Sequence, residues 1–185
     1  MSTAKLEINL PNEAATDALG QNLADEILKT IKNIKNNGLA EISSITIYLK
    51  GELGAGKTAL LRAFLRACGV TGRIKSPSYA LLESYKVSSL YFYHIDFYRF
   101  SDSSEWQDAG FRDLFSDNSV VLIEWPERAK EQLPTPDLLI ELSYMGEGRN
   151  ARITAETKRG ALWLTHLNAD RSGRVSGNPS VADRS

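Results

Sequence analysis

The stretch Gly51-Glu52-Leu53-Gly54-Ala55-Gly56-Lys57-Thr58 fills every fixed position of the pattern G-x-x-x-x-G-K-[ST]. Its flanks supply the context that this pattern needs. On the amino side, Ile45-Thr46-Ile47-Tyr48-Leu49 alternates as a strand does. On the carboxyl side, residues 57–68 turn Leu60, Leu61, Phe64, Leu65 and Cys68 to one face of a helix. A glycine-rich link between strand and helix folds tightly enough to aim successive backbone N–H groups at phosphate oxygens. The partial positive charge of the helix start adds to that pull. Lys57 is then expected at the β- and γ-phosphates of a nucleotide, and the Thr58 hydroxyl on Mg²⁺. The order strand, loop, helix puts the chain in the α/β class.

Upstream, Asn12 and Glu13 follow Pro11 and open a helical pattern whose Leu19, Leu23, Ile27, Ile31 and Ile34 share a face, with Gly38 as its stop. Residues 33–44 read as a polar loop. Downstream, residues 79–85 and 90–96 predict a hairpin linked by Lys86-Val87-Ser88-Ser89. Residues 101–115 predict a short helix and turn, opened by Ser and Asp residues suited to an N-cap. Val120-Val121-Leu122-Ile123 is continuously apolar, as a strand in the middle of a parallel sheet must be. Two more strands are expected at 138–142 and 151–154, about the turn Gly146-Glu147-Gly148. Residues 168–185 contain no Leu, Ile, Phe, Trp or Tyr, so the expected organisation is one domain over 1–167 and a disordered tail over 168–185.

A phosphate loop of this kind works with a carboxylate at the end of a neighbouring strand, which holds Mg²⁺ and orients an attacking water. Glu124 directly follows the apolar strand, and Asp96 ends Tyr91-Phe92-Tyr93-His94-Ile95. Ser76-Pro77-Ser78-Tyr79 stands either where a γ-phosphate-sensing switch belongs or as a Pro-containing turn entering a strand. By strand alternation His94 and Asp96 share a face, which predicts a packed, hydrogen-bonding histidine. Cys68 reads as core and His166 as solvated. Arg99, Arg112 and Arg128 read either as charge stabilisers on a phosphate or as surface arginines. Trp125 is open between partner contact and sheet-edge packing.

Composition narrows the classes further. Hydrophobic residues make up 42% and charged residues 24%, an ordinary globular balance that argues against disorder throughout. With 22 Lys+Arg against 23 Asp+Glu the net charge is -1, so no global basic field draws the chain to nucleic acid or anionic membrane. One cysteine excludes an internal disulfide and fits a reducing compartment. The N-terminus has no apolar core of a signal peptide, and the longest purely aliphatic run, 120–123, is far too short for a bilayer; a cytoplasmic protein is expected. No [NT]-K-x-D motif for guanine is present, which leaves ATP as the expected nucleotide. A small-molecule kinase shares the loop but needs a lid, for which 126–136 is too short; a nucleotide-dependent binding module is the other alternative.

Taken together, the phosphate loop, Lys75-Ser76-Pro77-Ser78-Tyr79, Tyr93-His94-Ile95-Asp96-Phe97-Tyr98-Arg99, Glu124-Trp125-Pro126-Glu127 and Gly148-Arg149 follow one another in an order and spacing that resemble the TsaE (YjeE) family. The resemblance covers about residues 6–155. It implies a single-domain P-loop NTPase with a central mixed parallel and antiparallel sheet flanked by helices. It also implies an ATPase, weak alone, that works with a TsaD-like transferase and a TsaB-like subunit. Those partners attach threonylcarbamoyl to adenosine 37 of tRNAs reading codons that begin with A, and ATP hydrolysis resets the complex; tRNA is reached only indirectly. On this chain the resemblance implies that Gly51, Glu52, Leu53, Gly54, Ala55, Gly56, Lys57 and Thr58 bind the triphosphate. Thr58 and Glu124 would hold Mg²⁺, Asp96 would act on the water or the metal's surroundings, Ser78 would be the switch hydroxyl, and Glu13 and Arg149 would lie near the nucleoside. Ser78 replaces the usual Thr but keeps a hydroxyl, and Ala59 replaces a second Thr after Thr58.

Overall fold

The apolar run expected in mid-sheet is the centre of the molecule in a computed structural model, which describes residues 4–38, 42–77, 79–99 and 111–175. Seven strands form one sheet: β1 (Lys5–Leu10), β2 (Ile45–Lys50), β3 (Leu82–Val87), β4 (Leu90–Asp96), β5 (Ser119–Glu124), β6 (Leu138–Met145) and β7 (Gly148–Ala155). Their spatial order is β1-β7-β6-β2-β5-β4-β3. Strand β2 runs parallel to β5 and β6, and β4 parallel to β5. The outer pairs β3–β4, β6–β7 and β1–β7 are antiparallel. The mixed sheet is therefore parallel where it is most buried and closed by hairpins at its flanks.

Alternation along the inner strands divides the core in two. Ile45, Ile47, Leu49, Val120 and Leu122 face the larger cluster, together with Leu23 and Ile27 of α1 (Glu13–Asn36), Leu60 and Phe64 of α2 (Lys57–Ala67), and Trp163 and Leu164 of α3 (Lys158–Val175). Tyr48, Val121 and Ile123 face the opposite side with Ile95, Phe97, Phe111 and Ala129. All six residues of β5 are buried, which accounts for its lack of polar alternation.

Helix α1 begins as the sequence predicts, with the Asn12 side chain accepting from the Ala15 N–H at 2.9 Å. It continues through Asn36, four residues into the stretch read as a loop. The first strand of the hairpin is displaced: β3 starts at Leu82, because residues 79–81 turn, with Leu81 at φ 65° and its N–H on the Pro77 carbonyl. It runs through Val87, so Lys86 and Val87 of the expected link pair with Tyr91 and Leu90 and only Ser88-Ser89 turns. Phe111–Phe115 is a 3₁₀ turn, while 100–110 lies outside the described residues.

Two elements escaped the sequence reading. Strand β1 shows the signal plainly, since Leu6, Ile8 and Leu10 alternate with polar residues. Helix α3 crosses the expected boundary at 167/168 and carries the backbone through Val175; 176–185 lies outside the described residues. Its start is signalled by Thr157, whose hydroxyl accepts from the Gly160 N–H at 3.1 Å and donates to Asp137 Oδ1 at 2.6 Å. Buried Asp137 also accepts from the Thr46 N–H and from Arg159, tying the helix start to β2 and β6. His166, read as solvated, is exposed but lies 2.9 Å from the buried Glu26 carboxylate of α1. Cys68 is core as expected, and burial pushes its thiol up to about 12.

Two predictions follow from the α1 contacts. A Cβ on Gly20 would stand 2.7 Å from the Leu60 carbonyl and 2.9 Å from the Phe64 nitrogen, both backbone of α2. Helix propensity favours Gly20→Ala by about 1 kcal/mol, but backbone cannot swing aside, and overpacking costs about 1–3 kcal/mol. Gly20→Ala is expected to lower the Tm in thermal denaturation. Glu26 behaves differently: burial pushes its carboxyl up, but hydrogen bonds from Lys29 and His166, and their charges, bring it below the ordinary value. A depressed carboxyl stabilises the fold above the unfolded-state range near pH 4, and that contribution is lost as pH falls through the folded-state value. The Tm difference between the wild type and Glu26→Gln should be largest at neutral pH and shrink below about pH 4.

Candidate functional site: a phosphate loop at the carboxyl ends of three parallel strands

Strand β2 delivers the chain to the loop with Gly51 at φ 141°, where a Cβ would stand 2.4 Å from the Leu142 carbonyl of β6. Gly56 ends the loop as the N-cap of α2, in the left-handed region at φ 102° and with no side-chain cap bond. Between them, the Ala55 N–H bonds back to the Glu52 carbonyl at 3.1 Å. Helical bonding begins with Leu60 N–H on the Gly56 carbonyl at 2.9 Å, so the first-turn amides of Lys57, Thr58 and Ala59 have no acceptor within the helix. With no side chain at the cap to occupy them, these N–H groups form a cradle for an anion.

Lys57 belongs to this cradle from within. Its Nζ donates to the Gly51 carbonyl at 2.7 Å and the Glu52 carbonyl at 2.9 Å, and stands 4.0 Å from the centre of the Trp125 ring. Burial lowers its pKa below the ordinary lysine value, against the pull of Glu124, Asp96 and Glu127. A phosphate beside it would add to that pull and favour its charged form. Glu52 and Leu53 are exposed at the loop's tip, where Tyr144 Oη donates to the Leu53 carbonyl at 2.8 Å.

Parallel register brings the acids to the same level. Glu124 pairs with Leu49 on β2 and with Asp96 on β4. Thr58 Oγ1 lies 2.9 Å and 3.1 Å from the two oxygens of Glu124, and His94 Nε2 lies 2.9 Å from Oε1. Asp96 accepts from the Tyr98 N–H at 2.9 Å and from the Ser76 hydroxyl. Glu124, Asp96, Lys57 and His94 are all buried. A cavity of about 490 Å³ opens over Glu124, Asp96 and Lys57, lined also by Thr58, Ser76 and Arg99, with His94 beneath Glu124 and outside the lining. Among the described residues no group of three or more His, Cys, Asp and Glu could hold a metal ion by itself. One hydroxyl and one carboxylate beside an anion cradle are oxygen ligands that would suit a hydrated Mg²⁺ accompanying a phosphate.

Glu13 and Arg149, far apart in sequence, line a second cavity of about 220 Å³ with Asn12, Thr16, Gly56 and Ala59. Arg149 donates to the Gly54 carbonyl at 3.3 Å and lies over the Tyr144 ring. Ser78 lies outside the described residues. Arg99 is in the main cavity and stacks over Tyr79 at 4.1 Å; Arg112 and Arg128 are exposed and line none of these cavities. Of the two roles left open for Trp125, packing at the strand end is the one the structure describes, since its ring is half-buried against the cluster of Ile95, Phe97 and Ile123. At φ 59° and ψ 48° it turns the chain sharply after β5 and lays its ring between Lys57 and Tyr98. Within the stretch Ser76-Pro77-Ser78-Tyr79 it is Ser76 whose hydroxyl meets Asp96, a contact that spacing does not signal and the resemblance does not assign.

Comparison with known proteins places the chain in a family. The family model described as "Threonylcarbamoyl adenosine biosynthesis protein TsaE" matches residues 10–153. A protein of Haemophilus influenzae, named "tRNA threonylcarbamoyladenosine biosynthesis protein TsaE", is 37% identical over 151 residues, covering 82% of this chain and 90% of its own. One of the same name from Synechocystis is 34% identical over 144 residues, covering 73% of this chain and 78% of its own. The crystal structure of YdiB from Bacillus subtilis superposes with a TM-score of 0.71 at 24% identity, over 92% of this chain and 99% of that one, and shares the fold. The family model and these relatives match over most of the length, and the chain belongs to the TsaE family.

Proposed function

We propose that this protein is a cytoplasmic Mg²⁺-dependent ATPase of tRNA threonylcarbamoyladenosine biosynthesis, acting with TsaD-like and TsaB-like partners on the modification of adenosine 37. The observation that carries the reading is the Thr58–Glu124 pair at 2.9 Å, set beside an anion cradle at the start of α2. The names borne by the relatives support the pathway. Among the described residues no helix is long and apolar enough to cross a membrane.

In this reading the amides from Gly51 to Thr58 take the phosphates, and Lys57 exchanges its two carbonyl partners for phosphate oxygens. Thr58 and Glu124 hold Mg²⁺, which neutralises charge on the β- and γ-phosphates. Asp96, fixed by Tyr98 and Ser76, orients the attacking water toward the γ-phosphorus. Water adds, the bond to ADP breaks, and the water's proton passes to the phosphate product or solvent. Ser78 serves as the switch hydroxyl. Glu13 and Arg149 hold the nucleoside side of ATP, since their cavity adjoins Gly56 and Ala59 across the loop from the acids. With no strong basic field on the chain, tRNA is reached through the partners.

Phosphate release from Mg-ATP, measured on the chain alone and with TsaB- and TsaD-like partners, tests the proposal. Slow turnover that rises with the partners is expected. Lys57→Ala and Glu124→Ala should each lower it by about a hundredfold or more, with Glu124→Ala retaining bound ATP. Turnover unmoved by the partners, or phosphate appearing on an acceptor other than water, would overturn it.

A further inference from the structure

His94 is the most deeply buried polar residue near the loop, with 0% exposure, and it makes a single polar contact. Its Nε2 lies 2.9 Å from Glu124 Oε1, while its Nδ1 is buried with no hydrogen-bond partner among the described residues. An ionised carboxylate only accepts, so the proton of this contact is on Nε2, and Nδ1 is left as an acceptor that nothing satisfies. Burying a polar atom unpaired carries a desolvation penalty that an apolar side chain of similar volume would avoid. Packing therefore does not explain the imidazole. The bond to Glu124 does.

We propose that His94 is the positioning residue of Glu124. Its N–H pins Oε1, so that the carboxylate presents one fixed edge to the Thr58 hydroxyl and to a divalent cation bound with nucleotide. The inference rests on the functional reading above, in which Glu124 holds that cation. The sheet register sets the reach: His94 pairs with Leu122 while Asp96 pairs with Glu124, so the imidazole is the diagonal neighbour of the carboxylate on the face toward α2. Thr58 also touches Glu124, but it is itself a ligand of the proposed cation and cannot serve as an independent anchor. Tyr98 and Ser76 engage Asp96, and neither supplies a hydrogen bond to Glu124. His94 is thus the fixed donor on Glu124 that the cation does not use. Hydrogen-bonded supports of metal-holding carboxylates set both affinity and orientation.

The test is Mn²⁺ binding to the full chain with ADP, followed by electron paramagnetic resonance, in the wild type, His94→Leu, His94→Gln and His94→Asn. ADP affinity in EDTA and phosphate release are measured alongside. Expected for His94→Leu are Mn²⁺ affinity of the ADP complex and kcat each about ten- to a hundredfold lower, with metal-free ADP affinity unchanged and the KM for Mg-ATP raised with the loss of metal affinity. Glutamine can place its amide nitrogen where the ring carries Nε2, so His94→Gln should recover most of the loss. Asparagine reaches only the level of Nδ1 and should not. With two histidines in the chain, ¹⁵N-histidine NMR of the wild type should show one buried ring protonated on Nε2. A folded His94→Leu chain that binds Mn²⁺ within twofold of the wild type overturns the inference. If that variant does not fold, equal Mn²⁺ affinity in His94→Gln and His94→Asn overturns it instead. A wild-type chain that binds ADP without any effect of Mn²⁺ overturns the functional reading, and this inference with it.

Discussion

The parallel pairing of β2, β4 and β5 is the constraint from which the site is built. In a parallel sheet the carboxyl ends of neighbouring strands lie on one edge, and the chain leaves each strand there in a turn. The register sets Leu49, Glu124 and Asp96 side by side, so the phosphate loop leaves β2 beside two acids that β5 and β4 supply. Backbone bonds lock that edge: the Trp125 N–H reaches the Leu49 carbonyl at 3.1 Å, and the Phe97 N–H reaches the Glu124 carbonyl at 3.0 Å. A shift of one residue in β5 would turn Glu124 to the opposite face, away from Thr58.

This edge concentrates groups that a stable core would avoid. Lys57, His94, Asp96 and Glu124 are buried together, and each ionised group there must find partners or carry a desolvation cost. Carbonyls and an aromatic face hold the lysine, a hydroxyl and an amide hold Asp96, and a hydroxyl and an imidazole hold Glu124. The unpartnered Nδ1 of His94 and the left-handed Trp125 are two places where local preference yields to the geometry of the site. The remainder of the fold offsets this with a helix-covered face dominated by aliphatic residues and with the Asp137 network that ties α3 to the sheet.

Much of the architecture was legible because its signals are local. The octapeptide at 51–58 states its own chemistry, the stepped leucines and isoleucines of α1 state its buried face, and the apolar run at 120–123 states its central place in the sheet. Where signals were weak, boundaries failed. The turn at 79–81 depends on a bond from Leu81 to Pro77 that no pattern announces. Helix α3 is anchored at Trp163, Leu164 and Leu167, and its backbone runs on through residues whose composition resembles a tail.

The sequence by itself determined the class of fold, the phosphate loop and the two acids as chemical types, since these depend on residue identity and short spacing. It also carried the family resemblance, through motifs kept in order along the chain. Tertiary structure alone decided which groups meet: His94 with Glu124, Ser76 with Asp96, Lys57 with Trp125, and Glu13 with Arg149 across one cavity. Such contacts join residues that are distant along the chain. They are fixed by sheet order and register, which arise from the packing of the whole sheet and cannot be read from any one segment.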